Sequence, residues 1–445
     1  MEQIVNGADN QHKTKYTSDW TLWACYIILC IVSVVEVFSA SSQELRAGSV
    51  YLPIASHVRW LLIGLVLMLG LEHIHYKYFK ILMLIVAPFA IVLAILTPFI
   101  GEVENGAIRA IKVFGISLQA AEPCKFASAL LLAYIFARFQ KKEGGLSMKG
   151  IWWGVAVMFM FAALLITQGG SNTLLVLMVS VLMMIIGGLP RKLLIAGGVV
   201  CVIGIGAIIG VHYSKSGDDK SGAHQVESVA KKENVKKDSD SFLTAVFQRM
   251  PTWKRRIDSW LGDGKPEYDK TTDYGVGGNS QKHHACMAIA HGNGIGVMPG
   301  NSRECSRLQL AFSDFIYAII LEELGLFGGI VVLLCYLGIV IRAGMIGSKC
   351  KNAYSTLLIM GMALMIALQA FYHMSISVGL LPVSGQTLPF ISKGGTSIVI
   401  MSMAMGVMLS VSRYAVERTS EGLKTIDEDD ELPQDLRANN PTGIM

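Results

Sequence analysis

Apolar runs of about twenty residues recur from one end of this 445-residue chain to the other, and that pattern constrains the fold more than any motif does. A helix needs roughly 20 apolar residues to cross a bilayer, and lipid offers no partner to an unpaired backbone group. Charged residues make up only 16% of the chain, against about 25% in soluble domains. The sequence therefore predicts an all-α polytopic membrane protein. Ten spans are expected, at about 21–40, 50–71, 81–100, 117–137, 151–167, 172–188, 193–213, 315–341, 354–374 and 395–412. "TQGGSN" at 167–172 reads as a tight turn between spans five and six. Residues 1–20 are polar and the run at 21–40 is too long for a signal h-region, so no cleavable signal peptide is expected.

Lysine and arginine in the short loops set the orientation. With the N-terminus inside, the inner loops carry eleven (Lys77, Lys80, Arg138, Lys141, Lys142, Lys149, Arg191, Lys192, Arg342, Lys349 and Lys351), and the outer loops carry four (Arg46, Arg109, Lys112 and Lys393). Both termini are then cytoplasmic. The predicted organisation is a cytoplasmic segment at 1–20, spans one to seven over 21–213, an outer loop at 214–311, spans eight to ten over 312–413, and an acidic tail at 414–445. This inner bias accounts for the net charge of +5, so no nucleic-acid partner is inferred.

Within the outer loop, 214–241 is charged and poor in large apolar residues, as in a mobile linker. Residues 242–263 mix Phe, Trp and Leu with four basic residues. They read either as a basic amphipathic element on the membrane surface or as a solvated helix on the protein's own outer face. Residues 282–303 read as a short helix followed by a glycine-rich turn. The tail, with "IDEDDELPQD", reads as a disordered solvated extension. Cys286 and Cys305 share the outer loop and are the candidate disulfide pair. His283, His284, Cys286 and His291 match no standard zinc spacing, so no metal site is assigned.

Ionisable residues gather at the outer ends of the spans. "LQLAFSDFIYAIILEELG", residues 308–325, puts Asp314 at the mouth of span eight and Glu322 and Glu323 inside it. At 1.5 Å per residue the two glutamates lie about 12 Å deeper, and they read as internal hydrogen-bonding anchors. Glu122 and Lys125 of span four are three apart and share a helix face. Arg109 and Lys112 precede them, and His57 and Arg59 lie in span two. Polar groups sunk in spans usually mark a pathway or a site. Their bland alternative is mutual pairing or snorkelling into the headgroups. The glycines of "HGNGIGVMPGNSR" offer backbone N–H groups beside Arg303, a weak phosphate signal taken alone.

Taken with "GLLPVSGQTLPFISKGGTS" at 379–397, these segments carry a resemblance. "NGAIRAIKVFGISLQAAEPCKFA", "GNGIGVMPGNSR … SDFIYAIILEELG", the 379–397 loop and "SASS" after span one are similar, in the same order, to motifs of the SEDS family of cell-envelope proteins (FtsW, RodA, SpoVE). The "PGNSR" wording leans toward the FtsW branch. The resemblance implies a ten-span peptidoglycan glycosyltransferase of the bacterial inner membrane, at the division septum. It would polymerise lipid II with a class B penicillin-binding protein and other division proteins. Asp314 stands in the place of the family's essential aspartate, and Lys125 in that of a lysine thought to face it. Glu122, Arg109, Arg59, Arg303, Ser392 and Lys393 are the expected substrate contacts. Departures are Ala110 for a tryptophan, "QAA" at 119–121, "GGSNT" at 169–173, Gln309 and Leu310 before the aspartate, and Lys393 for a tyrosine.

The expected chemistry joins the two readings. Asp314 is the general base on the acceptor 4-hydroxyl. Arg109, Lys125 and Arg303 offset the leaving diphosphate, or Lys125 pairs with Asp314 directly. A divalent cation, Mg2+ or Mn2+, is a further expected participant. The competing readings are a lipid II flippase and a non-catalytic scaffold of the division machinery.

Overall fold

The computed structural model describes residues 18–44, 51–104, 107–113, 116–141, 145–195, 260, 278–305, 307–308, 311–419, 422–425, 436 and 438–444. The helices are α1 (Trp20–Glu44), α2 (Tyr51–His73), α3 (Phe79–Ile100), α4 (Ala121–Arg138), α5 (Met148–Ile166), α6 (Gly170–Ile186), α7 (Gly278–His291), α8 (Ile316–Glu323), α9 (Gly325–Lys349), α10 (Ala353–Ser377) and α11 (Gly395–Tyr414). Among the described residues, seven of them (α1, α2, α3, α5, α9, α10 and α11) are long and apolar enough to cross a membrane. The predicted spans one to three, five, six, nine and ten coincide with helices to within a few residues. Span seven lies outside the described residues beyond Ile195, as do the 214–241 linker and nearly all of 242–263.

The bundle is organised around α4. From Ala121 to Ala137 it is buried at nearly every position, and its Ala, Ser and Cys side chains let neighbouring backbones come close. It packs against α3, α5, α6, α10 and α11. By contrast, α2 and α3 expose Leu62, Val66, Leu84, Ile85 and Phe99, the side chains suited to lipid. The inner face of α2 lies against α11. A Cβ at Gly406 would stand 2.8 Å from the Met68 carbonyl oxygen, so the two helices meet there at a spacing that only glycine allows.

Two expectations are corrected. Span four does not begin at 117. Residues 116–119 form β3 (Ile116–Gln119), which closes an antiparallel sheet with β1 (Glu102–Glu104) and β2 (Ala107–Val113). Ala110 pairs with Gln119 and Glu102 across that sheet. The ladder takes up the backbone groups of 116–119, and the helix starts only after it.

Span eight is not one helix either. It breaks between Glu323 and Gly325 because the glycine-rich turn predicted in the latter part of 282–303 packs into the break. Val297 and Met298 donate their N–H groups to the carbonyls of Glu322 and Glu323, both at 2.9 Å, and the Gly294 carbonyl accepts from Leu326 at 3.0 Å. These bonds satisfy groups that helix ends leave open. A side chain at Gly296 would stand 2.4 Å from the Glu323 carbonyl, and one at Gly325 2.5 Å from that of Gly294. Gly325 is also left-handed, at φ +68°. Irregular backbone at membrane depth is tolerated where protein covers it, and here the turn does.

The glutamates of this break act as the anchors expected of them. Glu322 accepts from the Ser302 hydroxyl at 2.5 Å and the Arg303 N–H at 3.0 Å. Glu323 accepts from the Ser39 hydroxyl of α1 at 2.5 Å and the Gly300 N–H at 3.3 Å. At the opposite end of the bundle, Asp19 caps α1 through the Thr21 N–H at 2.9 Å and holds Arg342 of α9 at 2.7 Å. The tail is not wholly a solvated extension. Val416–Thr419 and Gly422–Thr425 pair as a hairpin. The Asn440 side chain donates to the Gly347 and Cys350 carbonyls at 2.9 and 2.6 Å, capping the end of α9.

Candidate functional site

Asp314 lies in the turn that leads into α8, half-buried, and its carboxylate accepts from the Ser313 hydroxyl at 3.1 Å. The loop between α10 and α11 braces this turn from the side. The Lys393 N–H donates to the Phe312 carbonyl at 3.0 Å. The Ser392 hydroxyl donates to the Ser313 carbonyl at 2.8 Å while accepting from the Leu388 N–H at 2.7 Å. The Lys393 ammonium stands 4.5 Å from the centre of the Phe312 ring, a cation–π contact. Ser392 and Lys393, both expected as substrate contacts, thus fix the backbone on which Asp314 is carried. Phe390 adopts a left-handed φ of +65° in that loop, uncommon for a bulky side chain. Its buried ring packs edge-on to Tyr26 at 5.2 Å, and Tyr336 donates to the Pro389 carbonyl.

The same loop, a few residues earlier, forms one wall of a buried polar cluster. Lys125 donates to Glu122 at 2.7 Å and to the Gln369 side-chain carbonyl. Gln369 has its amide nitrogen committed to the Thr387 carbonyl at 3.1 Å and hydroxyl at 3.2 Å, so its oxygen is left to face Lys125. One helical turn on, His373 donates from Nδ1 to the Gln386 carbonyl at 2.7 Å. The Gln386 amide donates to Ser171 and Asn172 in the first turn of α6, both at 2.9 Å. A small cavity opens among Gln119, Glu122, Gln168, Asn172, Gln386 and Thr387.

Lys125 is therefore not the direct partner of Asp314. Among the described residues its ammonium is taken by Glu122 and Gln369, all three side chains being buried. Arg59 of α2 and Arg303 beyond the glycine-rich turn are exposed. Arg109 stands within β2. His57 is buried on α2, with Nε2 2.7 Å from the Ser33 hydroxyl. Cys286 and Cys305 are free thiols and do not form the candidate disulfide. His284 instead meets the buried Glu304 carboxylate at 2.6 Å. No group of three or more His, Cys, Asp or Glu side chains among the described residues is arranged to hold a metal ion.

Sequence reading missed Gln369, His373, Gln386, Thr387 and Asn172. Gln369 and His373 carried a signal, being polar residues four apart inside an apolar span. Gln386 and Thr387 lie in the α10–α11 loop and Asn172 at the start of α6, and only the fold brings their partners to them.

A family model described as cell cycle protein, FTSW_RODA_SPOVE, matches residues 19–417. Over 433 residues the chain is 27% identical to a probable peptidoglycan glycosyltransferase FtsW of Hahella chejuensis, covering 93% of each. It is 27% identical to the stage V sporulation protein E of Bacillus subtilis, over 90% of this chain and 99% of that one. Among solved structures, it superposes with a TM-score of 0.64 and 19% identity on a chain from a study of "structural coordination of polymerization and crosslinking by a peptidoglycan synthase complex", covering 89% of this chain and 98% of that one. The rod shape determining protein RodA of Thermus thermophilus gives 0.57 and 17%, over 89% and 97%. At these identities the two structures establish the fold.

Proposed function

The chain belongs to the FtsW, RodA and SpoVE family of cell cycle proteins, and on that premise we propose that it is a peptidoglycan glycosyltransferase that polymerises lipid II into β-1,4-linked strands. The observation that carries this reading is the loop between α10 and α11. It braces the Asp314 turn through Ser392 and Lys393 and walls the polar cavity through Gln386 and Thr387. A carboxylate held on a fixed turn is what a polymerase needs in order to deprotonate a sugar hydroxyl.

Asp314 acts as general base on the acceptor 4-hydroxyl, and attack opposite the leaving group inverts an α-linked donor to a β-1,4 bond. The diphosphate needs cations close to water, and Arg59, Arg303, Lys393 and Arg109 are assigned to it. Lys125 is not, because Glu122 already balances its charge. A Mg2+ or Mn2+ ion at Asp314 fits only if phosphate oxygens of the substrate complete its coordination, since no three-ligand protein site is present among the described residues. The Asp314 end of the bundle faces the outside, both termini are cytoplasmic, and the protein works at the division septum beside a class B penicillin-binding protein. A flippase reading draws on acids along the bundle's depth. Against it, Glu322 and Glu323 are bonded to Ser302, Arg303, Ser39 and Gly300 as anchors.

The test is synthesis of glycan ladders from labelled lipid II by purified protein, with and without candidate penicillin-binding partners. Asp314→Asn is expected to lower the rate by about 10²–10⁴-fold, the range for loss of a general base. Undiminished ladders would exclude Asp314 as the base. No ladder from the wild type with any partner would exclude the polymerase, and headgroup exposure across sealed vesicles without polymerisation would establish the flippase.

A further inference from the structure

The loop that braces Asp314 is itself held from its far side, by a hydroxyl of α1 and an imidazole of α2. The Ser33 hydroxyl donates to the Ile391 carbonyl at 2.9 Å, and the same oxygen lies 2.7 Å from His57 Nε2. Both side chains are buried. A serine carries one hydroxyl hydrogen, and a carbonyl can only accept. The Ser33 hydrogen is therefore spent on Ile391, and His57 must be the donor at Nε2. Its other nitrogen, Nδ1, is buried with no hydrogen-bond partner among the described residues. An imidazole that leaves one nitrogen unpaired inside a bundle is costly, so its bond to Ser33 needs a use.

That use shows in the direction of the Ser33 hydroxyl. A helical serine can turn its hydrogen back onto its own helix. Ser128 bonds the Lys125 carbonyl and Ser180 the Val176 carbonyl, both at 2.7 Å, and Ser377 bonds that of His373 at 3.1 Å. Ser33 instead reaches a segment 358 residues away. With His57 donating into its oxygen, its hydrogen is turned outward, toward Ile391.

Ile391 in turn holds the Asp314 turn. Its carbonyl shares one planar peptide with the Ser392 N–H, so fixing the carbonyl fixes the plane from which Ser392 springs. Ser392 bonds the Ser313 carbonyl at 2.8 Å, and the Lys393 N–H bonds the Phe312 carbonyl at 3.0 Å. The relay thus runs from α2 through α1 and the loop to the two residues before Asp314. Helix α1 holds the other end of the same segment as well, since Ser39 donates to Glu323 at the end of α8.

We propose that His57 is a positioning residue for the glycosyl transfer. Its Nε2–H turns the Ser33 hydroxyl onto the Ile391 carbonyl, and the loop so fixed sets where the Asp314 carboxylate stands against the acceptor hydroxyl. The inference rests on the polymerase reading, with Asp314 as its base. His57 does not touch the substrate, and its Nδ1 takes no proton in the reaction.

The experiment measures kcat and KM for lipid II in ladder synthesis by the purified full chain, under the partner condition in which the wild type is active. His57→Leu removes the donor, and Ser33→Ala removes the hydroxyl it directs. Each is expected to lower kcat about tenfold or more, the scale of a small misplacement of a catalytic group, and to leave KM within about twofold. His57→Gln, which keeps an amide N–H within reach of Ser33, is expected to recover most of the loss. Combining Ser33→Ala with His57→Leu is expected to be no slower than the slower single variant, because both cut one relay. An unchanged kcat in both single variants, no recovery with glutamine, multiplication of the two losses, or a rise in KM at unchanged kcat would each overturn the positioning role. Wild-type ladders would keep the polymerase reading standing through any of these, and no ladder from the wild type would overturn both. Where His57→Leu does not fold, Ser33→Ala set against Ser33→Thr, which restores the hydroxyl, decides between the same outcomes.

Discussion

Glu122 and Glu322 are both buried carboxylates near the Asp314 end of the bundle, and they differ in how their oxygens are used. Glu322 has both oxygens engaged, one by the Ser302 hydroxyl and one by the Arg303 N–H, so it fastens a loop to a broken helix. Glu122 has one oxygen on Lys125 and the other unpartnered at the cavity. An unfilled oxygen does not by itself mark a ligand site, since Glu323, an anchor through Ser39 and Gly300, also keeps its Oε2 buried without a partner among the described residues.

The comparison is most exposed to failure at Lys125. Lys125→Met leaves Glu122 as an unpaired buried charge and is expected to cost about 3–5 kcal/mol, seen as a large drop in detergent melting temperature. Adding Glu122→Gln to it is expected to restore much of the loss, because the orphaned charge is gone. A double variant no more stable than Lys125→Met would mean that the pair is not what holds this cluster.

A smaller effect is expected at the anchor. Glu322→Ala strands the Ser302 hydroxyl and the Arg303 N–H, at about 1–3 kcal/mol for the desolvated donors. It should lower melting temperature and raise protease cutting of residues 292–303, while the affinity for lipid II of the protein that remains folded stays unchanged. Loss of affinity without loss of stability would break the distinction between the two acids. The smallest effect is expected at Gln369→Leu, which removes one neutral partner of Lys125 and frees Thr387, for roughly 1–2 kcal/mol. Thermal melts alongside lipid II binding would separate its packing role from any contribution to the site.

Much of this was legible before the fold was seen, and for a physical reason. Span length is set by bilayer thickness, so α1, α2, α3, α5, α10 and α11 could be placed from apolar run length alone. Asp314 stood out because an acid at the mouth of a span is costly and needs a use. The break at Gly325 was not legible, because its cause lies some thirty residues upstream, in the backbone of Gly294 and Gly296. Nor was the start of α4, since β3 exists only through its pairing with β2. The second partner of Lys125, Gln369, was hidden for the same reason. Gln369 is 244 residues away in sequence, and spacing rules reach only a turn or two of helix.

The α10–α11 loop is engaged at both of its ends. Thr387 and Gln386 hold the cavity wall, and Ser392 and Lys393 hold the Asp314 turn, with the left-handed Phe390 between them. Surface connections ordinarily accept insertions and deletions with little consequence. This one cannot, because adding or removing a single residue between Thr387 and Ser392 would slide one attachment relative to the other. The number of residues in that stretch is therefore as fixed a property of the protein as their identity.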